Sequence, residues 1–281
     1  MLSPSSHLIA RIVVIVALSF SVMTTESAIP LSKVVAQPLS PFDQRLDYGP
    51  SEHNFALRWT AQQTPAKARV IYVHGGCWLS EFDHTHADSF VSHLGESGFD
   101  AWTLEYRRTG TSGGGWPTSL LDVQQGIKAI LGDDTVTPTI IIGHSAGGHL
   151  ALLAARSEWH RQTPVATVAL APITDMVAYA MGNNSCQQGT VPFMGAAPDE
   201  QPDAYREASP SAWDYTDRLV WILQGTDDII VPTEQANVLG AKSLLLPSVG
   251  HFDWLMIDSA AHRELMDVLK TALTTLEHRQ K

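Results

Sequence analysis

The sequence predicts one α/β domain: a mostly parallel central sheet, helices on both faces, and a short irregular insert at one edge. Three observations carry this. Apolar β-type runs alternate with helical stretches along most of the chain, the pattern of repeated βαβ units. The 281 residues are 44% hydrophobic and 17% charged, enough apolar material for one large core. A tight glycine-flanked turn, Gly143-His144-Ser145-Ala146-Gly147, joins a β-type run to an apolar helical run.

The elements follow in order. His7 and Arg11 precede an apolar run at 12–20, then small and polar residues to Ala28. Residues 1–28 therefore read as a signal peptide, too short in its apolar part to span a bilayer, and export to the periplasm or medium is expected. The cleavage site stays open: Ser19-Phe20-Ser21 fits a small-x-small pattern, whereas Glu26 disfavours cleavage after Ala28. Residues 29–50 read as a Pro- and Ser-rich lead-in, and 51–281 as the domain. Strands are expected at 55–60, 70–73, 100–106, 139–142, 165–170, 219–223 and 243–246, because these runs are apolar or alternate with period two. Helices are expected at 87–94, after Pro117 (containing Leu121, Val123, Ile127 and Ile130), at 150–155 and at 258–276. Residues 175–214 are rich in Pro, Gly and Asn and read as an irregular cap or substrate wall. In parallel sheets, ligands sit beyond the carboxyl ends of the strands, which is where this insert would hang.

Eighteen basic against 29 acidic residues give a net charge of −11, with no Lys/Arg cluster. That disfavours nucleic acid and anionic membrane surfaces as partners. No segment after the leader is apolar enough to span a membrane, and the sequence leaves the oligomeric state open. Cys77 and Cys186 allow one internal pairing. Two buried thiols are the preferred reading and one disulfide the alternative, the latter open to an exported chain.

The turn at 143–147 has the form of a nucleophile elbow. Small flanking residues let the chain reverse sharply and present the serine at the sheet's carboxyl edge. A serine hydroxyl needs a base, and the base an orienter. Asp228 and His251 each lie in a loop directly after a predicted strand. Ser145 is thus the candidate nucleophile, His251 the candidate base and Asp228 its orienter, with Asp227 the rival acid. The order Ser…Asp…His differs from the chymotrypsin and subtilisin orders and matches that of α/β-hydrolases. Oxyanion donors are expected from His74-Gly75-Gly76-Cys77-Trp78, in the backbone at Gly75, Gly76 and Cys77, together with Ala146. His74 is expected to brace this loop. Trp78 and Trp254, flanking the oxyanion loop and His251, are the candidate substrate-binding aromatics. Asp83-His84-Thr85-His86-Ala87-Asp88 alternates possible metal ligands, but no further ligands are evident and the carboxylates suit a helix start, so no metal is expected.

These motifs resemble those of the α/β-hydrolase superfamily, and within it small serine esterases similar to kynurenine formamidases and feruloyl or acetyl esterases. The likeness rests on Tyr72-Val73-His74-Gly75-Gly76-Cys77-Trp78, Glu105-Tyr106-Arg107-Arg108, Gly143-His144-Ser145-Ala146-Gly147-Gly148-His149-Leu150, Ala208-Ser209-Pro210 and the run 225–232. It covers the chain from about residue 50 onward. Cys77 departs from it, standing where a third glycine or an aromatic is usual. The resemblance implies an α/β-hydrolase fold and a cofactor-free two-step reaction through an acyl-enzyme. The expected activity is hydrolysis of small or medium carboxylic esters, with acetyl, feruloyl or other carbohydrate-linked esters in view. The alternatives are an arylformamidase acting on N-formylkynurenine-type amides and, from another class, an inactive binding scaffold.

Overall fold

The computed structural model describes residues 28–157 and 163–280. Of the expected signal peptide, residues 1–28, all but Ala28 lie outside the described residues.

The strands are β1 (Gln44–Asp47), β2 (Phe55–Trp59), β3 (Arg69–Val73), β4 (Asp100–Leu104), β5 (Thr139–His144), β6 (Val165–Leu170), β7 (Val220–Gly225) and β8 (Lys242–Leu246). They form one sheet in the order β1-β2-β4-β3-β5-β6-β7-β8. β1–β2 and β2–β4 pair antiparallel, and all other neighbours pair parallel. The helices are α1 (Leu31–Val35), α2 (Asp88–Glu96), α3 (Thr118–Leu131), α4 (Ala146–Ala154), α5 (Met176–Ala180), α6 (Ser185–Gln188), α7 (Thr190–Met194), α8 (Pro202–Glu207) and α9 (Ala260–Gln280).

Strand alternation sorts the core into two layers. Val70, Tyr72, Ile140 and Ile142 pack toward Phe90 and Leu94 of α2 and Leu265 and Leu269 of α9. Ile71, Val73 and Ile141 point the other way, toward Val123 and Ile127 of α3 and Leu150 and Ala151 of α4. Successive side chains of a strand face opposite sides, so a run buried on both faces must be apolar throughout. That is why β3 and β5 read as unbroken apolar runs.

Two expectations need correction. The supposed lead-in contains α1 and β1, so the sheet begins before residue 51. β1 is a polar edge strand with three of four residues exposed, so it carries no alternation to read. The 175–214 insert is not irregular: it holds α5 to α8 and a 3-10 turn at Pro210–Ala212. Each piece spans four to six residues, too short for a helical period to register. The expected helix after Pro117 is α3, on which Val123, Ile127 and Ile130 are buried and Leu121 is exposed.

Candidate active site

Every residue of α4 is buried, which demands small side chains at its start. A Cβ on Gly147 would lie 2.1 Å from the Val73 carbonyl oxygen, and one on Gly143 would lie 2.4 Å from that of Gly147. Glycine at both positions lets the helix approach the sheet and turn in one residue. Ser145 sits at the bend with φ +56°, a left-handed conformation costly for a non-glycine residue. Its N–H donates to the Leu170 carbonyl (2.8 Å), while its side chain caps no helical N–H. It is almost fully buried, yet it lines a cavity of about 400 Å³ at the carboxyl edge of the sheet.

His251, after β8, lines the same cavity. Its Nδ1 donates to Asp228 Oδ2 at 2.7 Å. The Asp228 side chain is inaccessible to solvent and has further donors. The Ile230 and Val231 N–H groups reach Oδ1 at 2.8 Å each, and Gln224 Nε2 reaches Oδ2 at 3.2 Å. Asp227 is exposed, and its carboxylate accepts from the Thr226 hydroxyl (3.0 Å). Ser145 and His251 thus open on one cavity, with Asp228 hydrogen-bonded to His251 and Asp227 exposed to solvent.

The expected oxyanion loop follows β3. Gly76, Cys77 and Trp78 all have positive φ (+101°, +55° and +60°), so the backbone reverses tightly here. Gly76 and Cys77 line the cavity. Gly75 instead packs on the elbow, where a Cβ would lie 2.8 Å from the His144 carbonyl oxygen. Ala146 is the first residue of α4, where an N–H has no acceptor within the helix. His74 is a brace: Nδ1 donates to the Gly75 carbonyl (2.8 Å), Nε2 lies 3.3 Å from Glu105, and the ring stacks on Tyr106 at 4.5 Å.

Glu105 anchors this brace. Its Oε1 accepts from the Tyr106 N–H (2.9 Å) and from Arg108, and its Oε2 accepts from the His84 N–H (3.0 Å). Burial pushes its carboxyl up, but the neighbouring His74 and Arg108 and the hydrogen bonds outweigh that and hold it well below the usual range. A carboxyl depressed on folding stabilises the fold above its unfolded pKa, and the gain is lost as pH falls through the folded value. Glu105→Gln is expected to cost about 3 kcal/mol at neutral pH, because it leaves the buried Arg108 unpaired. The difference between parent and variant melting temperatures is expected to shrink below about pH 4.5. A difference constant from pH 7 to pH 3 would contradict this account.

Both candidate substrate-binding tryptophans are corrected: Trp78 and Trp254 are wholly buried, and neither lines the cavity. Trp78 stacks on Phe193 of α7 at 4.6 Å and donates its Nε1–H to His149 Nδ1 (3.2 Å). His149, its pKa pushed down to about 4 by burial, donates from Nε2 to the Ala208 carbonyl (2.7 Å). This chain pins the insert to the elbow helix. Trp254 belongs to the core beneath His251, with Leu255 and Leu265. The cysteines are corrected too. Cys77 and Cys186 form a disulfide, Cα atoms 5.1 Å apart, tying the expected oxyanion loop to α6.

Several residues at the cavity escaped sequence reasoning. His144, the variable position of the elbow motif, donates from Nε2 to the His251 carbonyl (2.9 Å), and burial and His251 keep its pKa well below normal. Asn184 caps α6 and donates to the Ile230 carbonyl (2.9 Å), linking the insert to the Asp228 loop. Leu31, Phe82, Ile229, Ile230 and Phe252 supply apolar wall. His144, Ile229 and Ile230 stand inside motifs that assign them no role, and Leu31, Phe82 and Asn184 stand in none of the motifs that marked the site. The alternating Asp83–Asp88 segment turns inward on itself. Asp83 accepts from the Thr85 N–H (3.0 Å), His84 Nδ1 lies 2.9 Å from Asp88, and His86 Nδ1 donates to the Asp83 carbonyl (2.5 Å).

Comparison with known proteins agrees with this architecture. The probable carboxylic ester hydrolase LipM of Mycobacterium tuberculosis is 25% identical over 210 residues, covering 68% of this chain and 48% of that protein. The chain thus spans about half the length of that curated relative. Among solved structures, esterase B of Lactobacillus rhamnosis superposes with a TM-score of 0.69 at 15% identity, over 89% of this chain and 90% of that one. A truncated carbohydrate esterase from gut microbiota superposes with a TM-score of 0.67 at 18% identity, over 83% and 97%. At such identities the likeness is one of fold, here the α/β-hydrolase fold. These matches are to esterases rather than to kynurenine formamidases. The profile of the BD-FAE family matches residues 59–243, about two-thirds of the chain, and the protein belongs to that family.

Proposed function

We propose that the protein is a serine carboxylesterase of small or medium esters, working through an acyl-enzyme. One observation carries the reading: an imidazole hydrogen-bonded at Nδ1 to a solvent-inaccessible carboxylate opens on the same cavity as a strained serine whose hydroxyl caps nothing. His251, its Nδ1–H held by Asp228, presents an unprotonated Nε2 to take the Ser145 proton as the hydroxyl attacks the ester carbonyl. Backbone N–H groups of Gly76 or Cys77, with Ala146, stabilise the oxyanion; one such donor typically supplies about 3 kcal/mol. The imidazolium then protonates the departing alkoxide, and water repeats the sequence to release the acid. The relatives, named as esterases and a probable carboxylic ester hydrolase, support the ester as the bond cleaved. A cavity of about 400 Å³ suits a small or medium substrate.

The test is a panel of esters varied on acyl and alcohol sides, run with N-formylkynurenine alongside. Turnover of esters, and fluorophosphonate labelling that disappears in Ser145→Ala, are expected. The same variant is expected to lose about 10⁶-fold in kcat, the scale of losing a triad nucleophile. Preference for the formamide would replace the esterase by an arylformamidase, and an unlabelled parent would favour a binding scaffold. We further propose export: a disulfide fits an oxidising compartment, and amino-terminal sequencing of the secreted or periplasmic protein checks it.

A further inference from the structure

We propose that the amino-terminal arm, residues 28–37, is part of this pocket, and that Leu31 determines which alcohol groups the site accepts. The inference rests on the esterase reading above. Leu31 and Phe252 line the same cavity, although more than two hundred residues separate them in sequence.

The arm reaches the site because it is fastened to the loop that carries His251. Asp253, nearly buried, accepts from the Ile29 N–H at Oδ1 (2.8 Å) and from the Gly250 N–H at Oδ2 (3.0 Å), so one carboxylate holds arm and loop together. Gln37 makes a second clasp: Nε2 donates to the Leu255 carbonyl (3.0 Å), and Oε1 accepts from the Ile257 N–H (2.7 Å). Between the clasps, Val34 is fully buried in the cluster that holds Trp254 and Leu255. The approach is close enough that a Cβ on Gly250 would lie 2.4 Å from the Ala28 Cβ. Leu31 is therefore a fixed wall rather than a passing contact.

The chemistry assigns that wall to one half of the substrate. The proton on His251 goes to the departing alkoxide, so the alcohol must lie against His251 and its immediate neighbours when the bond breaks. Phe252 is the next residue in chain, with its ring 4.9 Å from that of His251, and Leu31 is clasped to the same loop. Both are apolar, so the alcohols favoured are alkyl or aryl ones of limited bulk rather than charged ones.

The experiment compares parent, Leu31→Ala and Leu31→Trp on two series of esters. In one, a fixed acetyl group is joined to methyl, butyl and benzyl alcohols; in the other, a fixed alcohol carries acetyl, butyryl and hexanoyl groups. Leu31→Ala is expected to raise the kcat/KM ratio of benzyl to methyl acetate by about tenfold, and Leu31→Trp to lower it by a similar factor. Ratios within the acyl series are expected to move less than about twofold. Gln37→Ala, which undoes a clasp without altering the wall, is expected to relax alcohol selection in the same direction as Leu31→Ala, and guards against a misfolded tryptophan variant. Unchanged alcohol ratios in an active parent sensitive to Ser145→Ala overturn this assignment alone, as does an equal response in both series. A parent inactive on every ester overturns the esterase reading and this inference with it.

Discussion

Asp228→Asn is expected to lower kcat by about 10⁴-fold with little change in stability, on the scale seen when a triad acid becomes an amide. The reason lies in the donors around the carboxylate. Oδ1 accepts the N–H groups of both Ile230 and Val231, so an asparagine must place its amide oxygen there. Its NH₂ group then faces His251 Nδ1, which sits 2.7 Å from Oδ2 in the parent. That donor forces the imidazole to accept at Nδ1 and carry its proton on Nε2, so it can no longer take the proton of Ser145. Asp227→Asn, altering an exposed carboxylate outside the cavity, is expected to stay within about twofold of the parent. Equal losses in the two variants would show that the acidic residue acts through the loop's fold instead of through the tautomer. Steady-state kinetics on one activated ester, with melting temperatures for both variants, decides it.

Replacing Cys77 and Cys186 together by serine is expected to cost about 2–5 kcal/mol of stability, the usual range for a native disulfide. The bond closes a loop across 109 residues, so its loss frees a long stretch of the unfolded chain. For a domain of this size the melting temperature is expected to fall by about 5–15 °C. Activity is expected to suffer as well, because the bond fastens Cys77, with its left-handed backbone in the expected oxyanion loop, to the insert wall at α6. Thermal melts with and without reductant measure the first effect. Kinetics well below the melting temperature measure the second. An unchanged melting temperature in the double-serine variant would mean that packing of Trp78 on Phe193 holds the insert without the bond.

The central strands and the candidate triad were legible in the chain for the same reason. β3 and β5 are buried on both faces, so they must be continuous apolar runs. The residues just beyond parallel strands gather at one edge. Gly143 and Gly147 declare themselves by their spacing around Ser145, because a Cβ at either position would collide with backbone. Asp228 and His251 declare themselves by position after β7 and β8.

The rest depends on contacts between distant segments, and no local pattern encodes those. Trp78 and Trp254 sit beside the candidate catalytic motifs in sequence, yet packing turns both into the interior. Polar β1 is a strand because β2 offers it an edge to pair with. Cys77 meets Cys186, and Leu31 shares a cavity wall with Phe252, because the insert and the amino-terminal arm fold back on the sheet edge. Amino-acid order alone determined the sheet, the elbow and which residues could carry the chemistry, since those follow from short-range sterics and burial period. Only the tertiary structure decided what walls the pocket, since that depends on which remote side chains find room against each other.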